Sequence, residues 1–215
     1  MPRYDFTADQ ILRAAQVDAL SDQTVMTFGG TAARGSAIPS PVEGMVTYLE
    51  DQDRLEVYTN AWKPVGTILQ VASTTKTDTF STTSTSFADI TGLSLTITPS
   101  STASKILLVA AVSGHQAGNE TYIRFTGGNS TNYVGDAAGS RTRAGAVVNP
   151  ANGARQVLST ISYLDSPSTV SAVTYKVQAM VISGGTFYLN RSATDTDNNQ
   201  YARTPTSFTV MEVAG

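Results

Sequence analysis

Alternation of apolar and polar side chains is the feature that most constrains this chain. It is clearest at residues 93–97 and 208–213, where one side of the segment is apolar and the other is polar. A period of two residues is typical of strands that bury one face. From residue 67 onward no helical period competes with it, and roughly eight such segments are separated by polar turns. The sequence therefore predicts an antiparallel β-sandwich over residues 71–215, with a jelly roll as the leading topology.

The serine- and threonine-rich tract at residues 73–86 allows two interpretations. By composition it resembles a disordered linker, but threonine also favours strands. An unstructured connection and an extended segment paired within the sandwich are both consistent with this tract.

A single helix is predicted near the start of the chain. Thr7 and Gln10 have the spacing of a capping box, and apolar residues follow at intervals of three and four. About four turns are too few for stability in water, so the apolar face must pack either on its own domain or on a neighbouring subunit. Glycine and proline residues at 29–41 end the helix and indicate a linker. Residues 1–40 are thus predicted to be one helix followed by a linker.

Residues 41–70 carry three short strand patterns joined by turn-forming residues, which predict a small β-meander. Three strands with a single tryptophan make a small hydrophobic core, so this segment also needs a neighbour to cover its apolar surface. The predicted assembly interface of the first third of the chain consists of Phe6, Ile11, Leu12, Ala15, Leu20, Tyr48 and Trp62.

Charge and composition argue against several classes of function. Only 14% of the residues are charged and the net charge is −3, so the chain lacks the clustered basic residues that bind phosphate backbones, and no nucleic-acid partner is predicted. The absence of cysteine excludes disulfides and thiolate chemistry. The first residues do not form a secretory signal and no apolar run is long enough to span a bilayer. We therefore expect synthesis in the cytoplasm and no membrane insertion.

Catalytic groups are scarce in this sequence. His115 is the only histidine, and no paired carboxylate motif lies beside it. The glycine-flanked serine motif of hydrolases is not found. No spacing typical of the paired acids of glycan-degrading enzymes occurs among Glu120, Asp136, Asp165 and Asp195. The sequence therefore predicts a protein that is not an enzyme and needs no cofactor or metal.

Aromatic and amide side chains in the second half suggest a different role. Aromatic rings stack on sugar rings, and amides hydrogen-bond to sugar hydroxyls. The candidate glycan-binding residues are Tyr122, Asn132, Tyr133, Tyr188, Asn190 and Tyr201. A contact between subunits is the competing use of the same residues.

Two parts of the sequence resemble proteins of tailed bacteriophages. Four segments look like the N-terminal module of phage fibre and minor structural proteins, namely residues 6–17, 32–51, 55–58 and 62–65. Three later segments are similar to the β-sandwich that often ends such chains, namely residues 87–93, 97–101 and 208–212. Together the matching parts extend over most of the chain.

The resemblance implies a virion component, made in the host cytoplasm, whose N-terminal part attaches to the particle and whose β-domain is displayed on the virion surface. The implied function is a short homotrimeric spike, a tail fibre or minor tail protein that helps the phage attach to its host. A capsid decoration protein on the head is the alternative, and a glycan depolymerase is less favoured. The implied partners are further copies of the chain, tail or major capsid proteins of the virion, and a host surface glycan.

Overall fold

The computed structural model describes residues 25–66, 68–129, 134–148 and 155–215. The chain divides into two compact units, Met1–Thr67 and Ile68–Gly215, which we call the first and the second unit. The helix predicted from Thr7 and Gln10 lies outside the described residues. Within the described part, no helix is long and apolar enough to cross a membrane.

The described residues contain one short helix, α1, at Thr31–Ala37. Four strands belong to the first unit: β1 Met26–Phe28, β2 Val46–Leu49, β3 Arg54–Tyr58 and β4 Trp62–Pro64. The strands of the second unit are β5 Ile68–Lys76, β6 Phe80–Thr82, β7 Ala88–Ile97, β8 Lys105–Ala117, β9 Thr121–Thr126, β10 Ala146–Val148, β11 Val157–Asp165, β12 Val173–Val181, β13 Thr186–Leu189 and β14 Thr206–Val213.

The first unit is built on a four-stranded sheet in the order β1-β2-β3-β4. Strands β2, β3 and β4 form the antiparallel meander, and β1 adds to its edge in parallel with β2. Helix α1 corrects the prediction of an uninterrupted linker at residues 29–41. Gly30 precedes this helix and Pro39 follows it, so neither interrupts the helix, and tertiary contacts of Arg34 hold it in place. Such contacts stabilise helices that are too short to persist by themselves.

The second unit is a jelly roll. Eight of its strands form four antiparallel pairs that are nested in the sequence. The outermost pair is β5 with β14, followed by β7 with β12, β8 with β11 and β9 with β10. The resulting sheets have the orders β5-β14-β8-β11 and β7-β12-β9-β10. Nested pairing of this kind is what a single long hairpin produces when it rolls up into two sheets. The predicted mainly-β fold with a jelly-roll-like antiparallel sandwich is confirmed.

The core of the second unit lies between these two sheets. Phe125 of β9 and Phe208 of β14 stack across the interior with ring centroids 5.6 Å apart, which ties one sheet to the other. Ile90, Leu93, Ile106 and other buried aliphatic side chains fill the remaining space. Since these strands bury every second residue, the alternation in the sequence identifies the residues of each strand that face the core.

The tract at residues 73–86 forms strands and not a linker. Residues 73–76 belong to β5, which pairs with β14, and residues 80–82 form β6, which pairs with β13. Strands β13 and β14 both pair with the same edge of β8, one after the other. The sheet is interrupted where β13 ends at Leu189 and where β5 ends at Lys76.

A buried asparagine joins the two interruptions. Asn190 is fully buried and has a φ of 59°, a left-handed conformation that asparagine tolerates better than most residues. Its amide nitrogen donates to the carbonyl oxygens of Lys76 (2.8 Å) and Asp78 (2.9 Å). Its amide oxygen accepts a hydrogen bond from the Thr206 hydroxyl at 2.7 Å. One side chain therefore supplies the hydrogen bonds that the broken strand ladders leave open.

A buried carboxylate, Glu212 of β14, lies on the core side of its strand. It accepts hydrogen bonds from the Ser100 backbone N–H (2.7 Å), the Ser100 hydroxyl (2.6 Å) and the Gln70 amide (2.6 Å). Burial by itself would raise the pKa of Glu212, but the hydrogen bonds that its carboxylate accepts, first among them the one from the Ser100 hydroxyl, outweigh burial and hold the pKa below its ordinary value of 4.5.

This carboxylate should make the stability of the second unit depend on pH. Because the pKa of Glu212 is lower in the folded than in the unfolded chain, its stabilisation is present above the unfolded pKa and is lost as the pH falls through the folded value. We expect Glu212→Gln to lower the free energy of unfolding by about 2 kcal/mol at pH 7 and by much less at pH 3. Urea unfolding at both pH values measures the two differences. A difference that stays constant between them would contradict the assignment.

Candidate functional site

The outer face of the β5-β14-β8-β11 sheet carries a row of apolar side chains. Leu164, Leu107, Met211 and Val71 are aligned by the strand register and span all four strands. With strands about 4.8 Å apart, the row is about 14 Å long. Its end members are largely exposed: Leu164 by 50% and Val71 by 58%. Further apolar residues on the same side are Ile68, Val109, Leu158 and Val213.

We call this surface the assembly face and define it by those eight residues. Where the four strands pair, the other outward-facing side chains are alanine, serine and threonine, with one charged residue, Lys105. Beyond this region the same side of β8 carries His115, which is buried. The Lys105 ammonium group donates to the Ser166 hydroxyl at 2.8 Å, at one end of the sheet. An apolar sheet face almost without charge is typical of surfaces that other protein chains cover.

Two residues of the predicted assembly interface, Tyr48 and Trp62, lie in the described part of the first unit, and both are half-buried. The Tyr48 hydroxyl donates to the Asp53 carboxylate. The Trp62 ring packs edge-on against Tyr58, with centroids 5.3 Å apart. The guanidinium of Arg34 lies 4.3 Å above the Trp62 ring. The structure thus places Tyr48 and Trp62 in contacts within their own unit, and each keeps part of its surface exposed.

The other predicted interface residues, Phe6, Ile11, Leu12, Ala15 and Leu20, lie outside the described residues.

The interior of the first unit holds an ion pair. Arg34 of α1 and Glu56 of β3 are both buried and bonded to each other, and the half-buried Arg54 pairs with the second oxygen of Glu56 at 2.5 Å. In the described part of this unit, Leu49 is the one hydrophobic residue that is fully buried. The described interior of this unit therefore combines a buried ion pair with a single fully buried hydrophobic side chain.

A cleft of about 640 Å³ lies where loops gather at one end of the second unit. We call it the loop-end cleft; its walls are Arg155, Gln156, Ser192, Gln200, Tyr201, Ala202 and Thr204. This volume is within the range of small-ligand sites.

Hydrogen bonds fix the walls of the loop-end cleft. The Gln156 amide donates to the Ala202 carbonyl oxygen and accepts from the Thr204 hydroxyl. The Arg203 guanidinium forms a two-pronged pair with Asp195, at 3.0 and 2.6 Å. The His115 ring lies 2.7 Å from the Arg155 carbonyl oxygen and holds the backbone there. The cleft is thus shaped before any ligand arrives.

The structure separates the candidate glycan-binding residues. Tyr201 lines the loop-end cleft, and Tyr188 lies in β13 with the Arg191 guanidinium 4.2 Å above its ring. Tyr122 lies on β9 in the other sheet, where its hydroxyl donates to Glu120 at 3.1 Å. The Asn190 amide is committed to the fold. Asn132 and Tyr133 lie outside the described residues.

Sequence reasoning missed Arg155 and Gln156, which flank Tyr201 in the cleft. They follow residues 135–145 and precede β11, and no pattern in the sequence connects them to a tyrosine more than forty positions later. The signal is long-range: the β8–β11 pairing brings residue 157 opposite residue 114 and so carries Arg155 to the end of the sheet where β14 begins.

Three carboxylates of the second unit, Asp165, Asp195 and Glu212, make contacts that stabilise the fold. Asp165 accepts a hydrogen bond from the buried Tyr175 hydroxyl at 2.6 Å, and burial together with this carboxylate raises the pKa of Tyr175. Asp195 is paired with Arg203, and Glu212 with Ser100 and Gln70. Among the described residues, no three histidine or carboxylate side chains gather as a metal site would require.

No protein-family model matches the sequence, and no curated protein sequence is significantly similar to it. Among the solved structures, a chain in the structure of infectious bursal disease virus Gx strain is 11% identical to this one. The match covers 74% of this chain and 43% of that chain, with a TM-score of 0.31. This chain thus spans less than half the length of the viral chain. At such a TM-score the likeness carries no argument, and the fold assignment rests on strand order and register.

Proposed function

We propose that this protein is a non-catalytic structural component of a bacteriophage virion. In this proposal the chain forms a homotrimeric spike, a short tail fibre or minor tail protein on the particle surface, and helps the phage attach to its host. The first unit binds other virion proteins, and the second unit is displayed outward. The sequence resemblance of both regions to phage structural proteins supports this arrangement.

The observation that carries the proposal is the assembly face. Leaving its apolar side chains in water costs free energy, at about 25 cal/mol for each Å² that stays exposed. A face with a single peripheral charge offers little to a charged ligand but fits another apolar protein surface. In a cyclic trimer one heterologous contact is repeated around the axis, so the assembly face of each chain packs against a different patch of the next chain.

The make-up of the first unit supports attachment to a partner. Its described interior contains one fully buried hydrophobic side chain, while Trp62 and Val65 keep apolar surface exposed. A unit whose described part buries so little apolar surface gains stability when a neighbouring protein covers the surface that stays exposed. This is the behaviour that we expect of a segment that docks on a particle.

Charges introduced into the assembly face should dissociate the trimer. We expect Leu158→Asp with Leu164→Asp to weaken association by roughly 100-fold or more, because each carboxylate would be buried unpaired against an apolar surface. Light scattering on an eluting peak should give three times the 22.6 kDa chain mass for the unaltered protein and a single chain mass for the variant.

The matched control for this experiment is Val170→Asp. Val170 is 54% exposed, like Leu164, but it lies in the connection between β11 and β12 and not on the assembly face. Its variant should remain trimeric. An unaltered protein that is monomeric at all concentrations would contradict the trimer, and equal dissociation by both variants would contradict the role of this face.

Immunogold labelling of intact particles tests the location. Label on the tail is the expected result. Label confined to the capsid shell would instead make the chain a head decoration protein, and particles without the chain would overturn the virion assignment. Release of reducing sugar from host polysaccharide by the purified protein would overturn its non-catalytic character.

A further inference from the structure

We infer that the loop-end cleft binds a carboxylated saccharide. The inference rests on the proposed function, because it assigns the host-attachment step to one site and one class of ligand. It is based on those side chains of the cleft that take no part in holding its walls.

Of the described side chains of the cleft, three do not contribute to its walls through hydrogen bonds: the cation of Arg155, the ring of Tyr201 and the amide of Gln200. Among the residues that the structure describes, none pairs with the guanidinium of Arg155, which is exposed at the edge of the cleft. Tyr201 is half-buried in the wall, and in the described part of the chain no aromatic ring or guanidinium stacks on its ring. The exposed side chain of Gln200 lines the same cleft. Within the described residues, none of the three groups is engaged by another side chain.

These three groups match the parts of one sugar acid. Guanidinium and carboxylate form two parallel hydrogen bonds, the strongest polar contact that an exposed arginine makes. A tyrosine ring offers a flat apolar surface to the carbon–hydrogen face of a pyranose, and the amide offers a donor and an acceptor to ring hydroxyls. A neutral sugar would use the ring and the amide but leave the cation unpaired.

The local charge also favours an acid. Arg155 lines the cleft, and the segment that supplies its other wall, residues 190–205, carries Arg191 and Arg203 together with Asp195 and Asp197. Asp195 is already shared by Arg203 (2.6 Å) and Arg191 (3.7 Å), so its charge is compensated. The cleft region is therefore positive in a protein whose net charge is −3. This balance of charge favours a negatively charged ligand at the cleft.

The size of the cleft fits a short saccharide. A volume of about 640 Å³ accommodates two or three pyranose rings and leaves the remainder of a chain outside. The walls are fixed by the Gln156 and Arg203 contacts, so little conformational entropy is lost when the ligand is bound.

Titration calorimetry on the full chain tests the inference. The probes are oligosaccharides of galacturonic acid, of glucuronic acid and of sialic acid, each with a neutral oligosaccharide of equal length as reference. We expect saturable binding of at least one acidic probe, weakened at least ten-fold by Arg155→Ala and by Tyr201→Ala. Binding should also weaken as sodium chloride is raised. The control is Arg141→Ala, an exposed arginine outside the cleft, which should bind as the unaltered protein does.

The outcomes separate this inference from the proposed function. No binding of any acidic probe, equal binding of acidic and neutral probes, or binding unchanged by Arg155→Ala would each overturn the saccharide site. The trimer mass and the immunogold label would stand in all three cases, because neither depends on the cleft. Far-UV circular dichroism of each variant, unchanged from the unaltered protein, excludes misfolding as the cause of lost binding.

Discussion

Replacing Asn190 by alanine is expected to lower the free energy of unfolding of the second unit by about 3 to 4 kcal/mol. The change removes three hydrogen bonds and leaves the carbonyl oxygens of Lys76 and Asp78 and the Thr206 hydroxyl buried without this partner. Alanine at a φ of 59° adds roughly 1 kcal/mol of backbone strain. Urea unfolding followed by circular dichroism measures the total loss.

Two further variants separate the contributions at this position. Asn190→Gly removes the hydrogen bonds without the strain, so its loss should be about 1 kcal/mol smaller. Asn119→Ala is the matched control, since the Asn119 amide also donates two hydrogen bonds, to the Ser183 carbonyl oxygen and hydroxyl, but is exposed to water. We expect it to cost less than about 1 kcal/mol. Equal losses at Asn190 and Asn119 would show that burial of the amide is not what matters.

Asn190 also shows which contacts cannot be predicted from the sequence. In the sequence it is an amide near two tyrosines, which suggests a sugar contact. Its role in the fold depends on residues 76 and 78, more than a hundred positions earlier, and no local pattern links the two. Glu212 is similar. Its position in the alternation of β14 is that of a core residue, but its partners Ser100 and Gln70 are visible only in three dimensions.

Strands were easier to predict than their partners. Alternation at residues 93–97 and 208–213 predicted both the strands and the inward face, because side-chain direction in a strand follows from local geometry. Pairing of β5 with β14 closes a loop of more than a hundred residues and depends on the fit of whole sheets. The assembly face follows from that pairing: Leu164, Leu107, Met211 and Val71 become one row only when four distant strands are in register.

In the proposed function the two candidate surfaces have separate roles: the assembly face joins copies of the chain, and the loop-end cleft binds a ligand. The assembly face is a property of regular sheet, where register fixes a broad apolar row. The loop-end cleft is a property of connections at one end of the sandwich, where side chains vary without disturbing the core. A jelly roll separates the two, so copies can pack through a sheet while their loop ends remain open to a ligand.

Removal of Glu56 should unfold the first unit selectively. We expect Glu56→Ala to lower its free energy of unfolding by about 3 to 5 kcal/mol, because the Arg34 cation would be left buried without its partner. Trp62 is the only tryptophan of the chain and lies beneath the Arg34 guanidinium. Tryptophan fluorescence during urea unfolding therefore reports the first unit, while circular dichroism is dominated by the strands of the second.

Controls for Glu56 distinguish a buried charge from lost packing. Glu50→Ala removes an exposed carboxylate next to β2 and should change stability by less than about 0.5 kcal/mol. Arg34→Met combined with Glu56→Met removes both charges and should recover much of the loss, since apolar replacements of buried ion pairs are often neutral or stabilising. If the double variant is no more stable than Glu56→Ala, the ion pair is not what the small core depends on. If the double variant recovers the lost stability, the ion pair occupies space in this unit that apolar side chains could fill equally well.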